Sequence, residues 1–413
     1  MPIDPSASSA AELASLIERL ILEQQRLEPL ELLLAAGALA YPDYEAWRLG
    51  QRAVLEDALR LQLADTLVLL QRAEEQARCA GLVGAPTDYR RWGDDAAPLH
   101  VGPSPALQRA LATLYAPPPD RRQLDLFYDS GAVVAEETLR EALLARRFGA
   151  ARDACDRLRG LAPAHARLGD WQHLIDTLDP TARHTGPDAS RVGAAALLHA
   201  IDAITPTAER LLGRRARDCL ALLWAELADA ADGSDFDPAA PRLHASHALA
   251  WLGRWPDVRA AVEAEPGWSD EPVLLERHGR ACRLSGDHRA ALGDWFALCW
   301  AYPDTAERLL AAGDFPDPRL AAHWVAFCDL DPPAGSAPPL ETADFPAWCL
   351  LVEPGLAAEV PADQRVSDPG RATAYRAALA LARAPDDVGR RRALGAAHPG
   401  LLVAFLGLRR AGG

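Results

Sequence analysis

The chain has 413 residues, 49% of them hydrophobic, and a formal charge of −15, which suits two or three ordinary domains or one long array with a substantial core. A surface this acidic repels a phosphate backbone and argues against direct contact with DNA or RNA. All 43 basic residues are arginine and asparagine is missing altogether, so there is no Walker A phosphate loop, no Schiff-base lysine, no pyridoxal phosphate anchor, no N-glycosylation acceptor and no Cys-His-Asn triad.

The N-terminus, MPIDPSASSAAE, lacks the basic start of a signal peptide. The longest apolar run, Leu32 to Tyr41, falls far short of the roughly 20 residues that span a bilayer. A cytoplasmic protein without a membrane role is expected. Ser9-x-x-Glu12 has capping-box spacing at the head of a first helix, whose face carries Leu13, Ile17, Leu20 and Ile21. Pro29 opens a second helix with Leu30, Leu32, Leu33 and Leu34 turned inward. Gln51 to Arg78 reads as one long helix, or two with a small break, with Leu55, Leu59, Leu63, Leu67 and Leu70 at helical spacing. Residues 84 to 104 are looser, and a short helix from Pro105 to Leu114 closes an N-terminal helical region, 1–116. Two Tyr-x-x-Trp pairs in that region, Tyr44 with Trp47 and Tyr89 with Trp92, suit either a pocket lining or anchors of helix packing.

Residues 117–131 form a Pro-rich linker, PPPDRRQLDLFYDSG. Its prolines disfavour helix, yet it carries Leu124, Leu126 and Phe127. From residue 132 onward short helices alternate with Gly, Pro and Asp, and alternating β-branched runs are absent, so the fold class is all-α. Residues 132–330 read as helical repeats, 331–343 as a second Pro-rich linker, and 344–413 as a C-terminal helical module with helices near Phe345–Leu351, Arg371–Arg383 and Val388–Leu408.

The repeat is clearest between Leu275 and Pro303: Gly279, then Gly286-Asp287-His288, then Ala291, Trp295 four residues on, and Pro303. This resembles the tetratricopeptide repeat, a helix-turn-helix unit of 34 residues with the pattern W-x₂-L-G-x₂-Y, A-x₃-F, P. Leu275, His278 and Cys282 stand where that pattern has Trp, Leu and Tyr. Gly253-Arg254-Trp255 starts 33 residues before Gly286, close to one repeat length, and related corners stand at Gly169 and Gly313. The resemblance implies a right-handed superhelix of helix pairs with a concave face for a protein or peptide partner, with Gly253, Trp255, Gly279, Gly286, Ala291, Trp295 and Pro303 as packing residues. Such corners also serve irregular helical bundles. The carboxylate clamp of some family members uses Lys and Asn, absent here, so recognition would fall to arginine and an apolar groove.

Nothing in the sequence selects a catalytic constellation. His244 and His247 share a helix face but lack a third ligand at metal spacing, and the seven cysteines include no Cys-x-x-Cys, so no metal, no cofactor and free, mostly buried thiols are expected. The acidic run Asp229–Asp237 lacks the ligand spacing of a calcium loop.

Gln123-Leu124-Asp125-Leu126-Phe127 resembles the short motif with which bacterial polymerases and repair factors dock on the sliding clamp, with Gln123, Leu124, Leu126 and Phe127 as the gripping side chains. The same residues would equally fill a groove on their own chain, because each apolar side chain left in water forgoes roughly 1.5–3 kcal/mol. Three functions therefore stand: a non-enzymatic adaptor or scaffold, an accessory factor of replication or repair docked on the clamp, and an enzyme whose site assembles only in three dimensions.

Overall fold

The computed structural model describes residues 7–118, 131–183, 193–330, 339–360, 366 and 368–411. They are predominantly helical and fall into two compact units, Met1–Asp232 with Trp251–Gly253, and Gly233–Ala250 with Arg254–Gly413. Among the described residues no helix is long and apolar enough to cross a membrane.

The first unit begins with α1 (Ala7–Gln24), α2 (Pro29–Ala35), α3 (Tyr41–Arg48), α4 (Leu63–Cys79) and α5 (Pro105–Leu111), with strands β1 (Val83–Pro86) and β2 (Thr113–Ala116) between and after the last two. It continues through α6 (Gly131–Leu144), α7 (Phe148–Leu161), α8 (Leu168–Leu178), α9 (Pro180–Arg183), α10 (Ala194–Leu212) and α11 (Ala216–Ala231). α6 packs along α7, and α10 along α11.

Several expectations for this half need correction. α1 is already helical at Ala7, so Ser9 lies inside it and is not its cap. The helix foreseen from Gln51 begins only at Leu63. Upstream of it, the main chain of Arg60 donates to Ala38 O at 2.9 Å and Leu59 forms a bridge with Leu39, so long-range pairing overrides local helical spacing. The segment foreseen as helix up to Leu114 ends at Leu111, and Thr113–Ala116 pairs antiparallel with Val83–Pro86, Val83 opposite Ala116. Tyr44, Trp47, Tyr89 and Trp92 are all buried and interleave across the two segments: Tyr44 meets Trp92 edge-on at 5.6 Å, and Trp47 meets Tyr89 at 5.7 Å. They are packing anchors.

The chain then runs through α12 (Ala245–Leu252) into α13 (Trp255–Glu263), α14 (Pro272–Leu284), α15 (His288–Ala301), α16 (Pro303–Leu310), α17 (Pro318–Cys328), α18 (Phe345–Val352), α19 (Leu356–Glu359), α20 (Pro369–Arg383), α21 (Val388–Ala397) and α22 (Pro399–Ala411). The helix foreseen through 388–408 is two helices, because Pro399 forces His398 into extended backbone, φ −152°. Acidic caps mark the starts: the carboxylates of Asp287, Asp317, Asp368 and Asp387 accept main-chain N–H bonds from the first turns of α15, α17, α20 and α21. The core of the second unit runs from α14 and α15 through Trp324, Phe327, Phe345 and Trp348 to Leu401 and Phe405. The seven cysteines are free, five buried and two, Cys79 and Cys328, exposed.

α14 and α15 pack together as a hairpin. Gly279 is its notch: a Cβ there would lie 3.0 Å from Trp295 Cη2 and 3.1 Å from Asp294 Cβ. Ala291 and Trp295 are buried. At the corner, Gly286 has φ +92°, its N–H bonds to Arg283 O, and the N–H of Asp287 bonds to Cys282 O at 2.8 Å, the paired bonds of a Schellman turn. Gly253, φ +76°, closes α12 in the same way, with Arg254 N donating to Leu249 O. Gly169 and Gly313 do not serve this purpose. Gly169 lies within α8, and Gly313 is not in the left-handed region. Trp255, the first residue of α13, is only half-buried, and Pro303 opens α16. Gln123, Leu124, Leu126 and Phe127, expected to grip a partner or their own chain, lie outside the described residues.

Candidate functional site

The hairpin positions a polar cluster that its neighbours enclose. His278 and Cys282, four residues apart, share one face of α14, and Asp294 of α15 faces them. Asp294 Oδ2 lies 2.7 Å from His278 Nδ1, and Cys282 Sγ lies 3.7 Å from each imidazole nitrogen. From α13, Glu263 Oε1 approaches His278 Nε2 at 3.1 Å. The Trp268 ring covers the imidazole with centroids 4.2 Å apart. Cys282 is fully buried and His278 and Asp294 nearly so, whereas the side chain of Glu263 is 45% exposed and marks the open edge. Arg259 extends the network outward, bonding Glu263 at 2.7 Å and Asp287, the cap of α15, at 3.0 Å.

Burial acts to lower the His278 pKa, but the hydrogen bonds to Asp294 and Cys282 outweigh it and push the imidazole up to about 10. Burial raises Asp294 while its bond to His278 pulls it back. Glu263 is held below the ordinary carboxylate range, chiefly by Arg259 and then by His278. Among the described residues, His278, Cys282 and Asp294 are the one group of three or more His, Cys, Asp or Glu side chains whose ligand atoms converge, all within 4.8 Å of one another.

His244 and His247, where no metal is expected from the sequence, take separate partners. His244 is buried, with Nδ1 2.8 Å from Ser246 Oγ and Nε2 3.2 Å from Glu265, while His247 Nε2 meets Arg242 at 3.4 Å. The cluster that does form was visible only as two departures from the repeat pattern. Its third member stands twelve residues further on, across a hairpin.

A second set of charges is buried in the first unit. The ring of Trp92 lies 4.0 Å from the Arg146 guanidinium and 5.0 Å from that of Arg48, and Arg146, Arg215 and Tyr41 converge on Asp218. Asp218 Oδ1 accepts from Tyr41 at 3.2 Å and its Oδ2 from Arg215 at 3.4 Å, and Arg146 reaches Glu45 at 2.6 Å. Burial raises the Asp218 pKa, with Arg215, Arg48 and Arg146 opposing it. Arg146 itself has φ +55°, at the corner after α6 where glycine is usual. These contacts join α3 to the corner after α6 and to α11.

Beside a cleft of about 500 Å³ at Arg214, Arg217 and Trp251, two further clefts are open to a ligand. One of about 470 Å³ lies among Leu27, Leu67, Leu70, Ala73, Arg78 and Tyr115 in the first unit. The other, about 560 Å³, lies in the second unit between α17 and α22, lined by Trp324, Phe327, Leu340, Val403 and Ala404, with Glu307 and Glu341 among its lining residues. No family model, no curated protein and no solved structure matches this chain.

Proposed function

We propose that this chain is a helical-hairpin scaffold that holds a protein or peptide partner in the second unit. The observation that carries the reading is the cleft between α17 and α22. Trp324 and Phe327 form its floor, Val403 lies 42% exposed on its wall, and the only ionisable groups of its lining besides the Cys328 thiol are two carboxylates. Such a cleft takes an apolar anchor side chain with an Arg or Lys beside Glu307, Glu341 being paired with Arg371 at 2.7 Å, and a few buried aromatic contacts then supply most of the affinity. The notched α14–α15 hairpin supports a scaffold role in the same unit. The experiment is co-purification of the tagged full chain from its native source, wild type against Val403→Glu. The reading expects a stoichiometric partner with a basic segment in the first and its loss in the second, with folding unchanged.

A second reading, a factor docked on the sliding clamp, is favoured by one specific string, Gln123 to Phe127. Binding of purified clamp to the full chain, lost on combined Leu126→Ala and Phe127→Ala substitution, tests it separately.

A further inference from the structure

We propose that His278, Cys282 and Asp294 form a binding site for a single divalent transition-metal ion of zinc type. Imidazole nitrogen, thiolate sulfur and carboxylate oxygen are the donors zinc prefers, and three protein ligands with one further position is a recurrent coordination set. The donors come from two helices that the Gly279–Trp295 notch holds in close contact, so their spacing is fixed by packing. Two of the three stand where the repeat pattern calls for Leu and Tyr. A hairpin core has thus given up two apolar packing positions for a polar trio, without any sequence requirement from the turn or the caps.

The distances are close to those of a loaded site. Bonds of about 2.0–2.3 Å in tetrahedral geometry place ligand atoms roughly 3.3–3.6 Å apart. Cys282 Sγ already lies 3.7 Å from both imidazole nitrogens. The contact that must open is His278 Nδ1 to Asp294 Oδ2, at 2.7 Å, where the ion would replace the hydrogen bond. Glu263, 3.1 Å from His278 Nε2 and so on the ring nitrogen opposite the Asp294 contact, orients the imidazole from the exposed edge. The Trp268 ring, tilted by 34° with its centroid 4.2 Å from that of the imidazole, covers the histidine.

The test uses the full chain, stripped with a chelator and kept reduced. Zinc is titrated against a chromophoric competitor, and cobalt(II) is titrated separately while the thiolate-to-cobalt charge-transfer band is recorded. The expected result is one equivalent of metal and a band that Cys282→Ser abolishes, with Asp294→Asn weakening zinc affinity at least about 10-fold. Cys79→Ser and Cys328→Ser, at the two exposed thiols, leave both signals unchanged. Circular dichroism establishes that each variant is folded; should Cys282→Ser unfold, Asp294→Asn alone carries the comparison. Absence of binding tighter than that of the competitor, or a charge-transfer band that survives in folded Cys282→Ser or Asp294→Asn at full zinc affinity, overturns the proposal.

Discussion

Arg146 donates from Nε and Nη2 to the main-chain oxygen of Asp218, at 2.9 and 2.7 Å, across 72 residues of sequence. It does so from a left-handed backbone position that an arginine occupies at a cost of about 1–2 kcal/mol. The side chain must return more than that strain for the conformation to persist. Arg146→Gly removes the strain and the guanidinium together, leaving Glu45 and the Asp218 carbonyl without their donor. Urea unfolding is expected to show a net loss of about 2–4 kcal/mol, with Arg146→Ala worse again because it keeps the strain. Equal or greater stability in Arg146→Gly would refute the role given to this side chain.

Gly279 is a notch and not merely a helical glycine. On propensity alone, Gly279→Ala would gain about 1 kcal/mol. A Cβ at 3.0 Å from Trp295 reverses the sign, and a loss of about 1–3 kcal/mol is expected. Combining it with Trp295→Phe should recover part of that loss in a double-mutant cycle. Strict additivity would show that the two residues do not meet as described.

The corner glycines separate into two kinds. Gly286 has open space around it, so Gly286→Ala is penalised only through its φ of +92°, by about 1–2 kcal/mol. Gly313, also with open space but not in the left-handed region, is expected to accept Ala within about 0.5 kcal/mol. Thermal melts of the two single variants make the comparison.

Burial lowers the His244 pKa below its ordinary value, against the opposing bond from Glu265. Ser246 and Arg277 complete its polar surroundings. A native imidazole that resists protonation lets the unfolded chain bind more protons below about pH 6.5. This contribution is therefore whole above that pH and is lost as pH falls through the native value. Urea unfolding between pH 7.5 and 5 should show stability declining, and His244→Gln should flatten that slope. An unchanged slope in the variant would reject the assignment.

The α14–α15 hairpin was legible because its determinants are local: a notch glycine, an aromatic four residues after a small one, and a corner glycine with an acidic cap. The N-terminal half was less so. Leu59 and Leu63 sit at helical spacing, yet Leu59 pairs with Leu39 and only Leu63 enters a helix, a choice made by partners distant in sequence. The two short strands were missed for the same reason, since Val-Gly-Ala-Pro has little strand character without Thr113–Ala116 beside it. The His278 cluster lay hidden in plain view. Its two members on α14 read as exceptions to a packing rule, and nothing in the string of letters brings Asp294 to them.

The scaffold account is tested most directly by placing a photo-crosslinking residue at position 403 of the full chain in its native source, with position 388, exposed on α21, as the control. The account predicts a discrete adduct with a second protein at 403, absent at 388, and mapping to a basic segment that carries an apolar anchor. An adduct confined to the chain itself, or equal labelling at both positions, would contradict it.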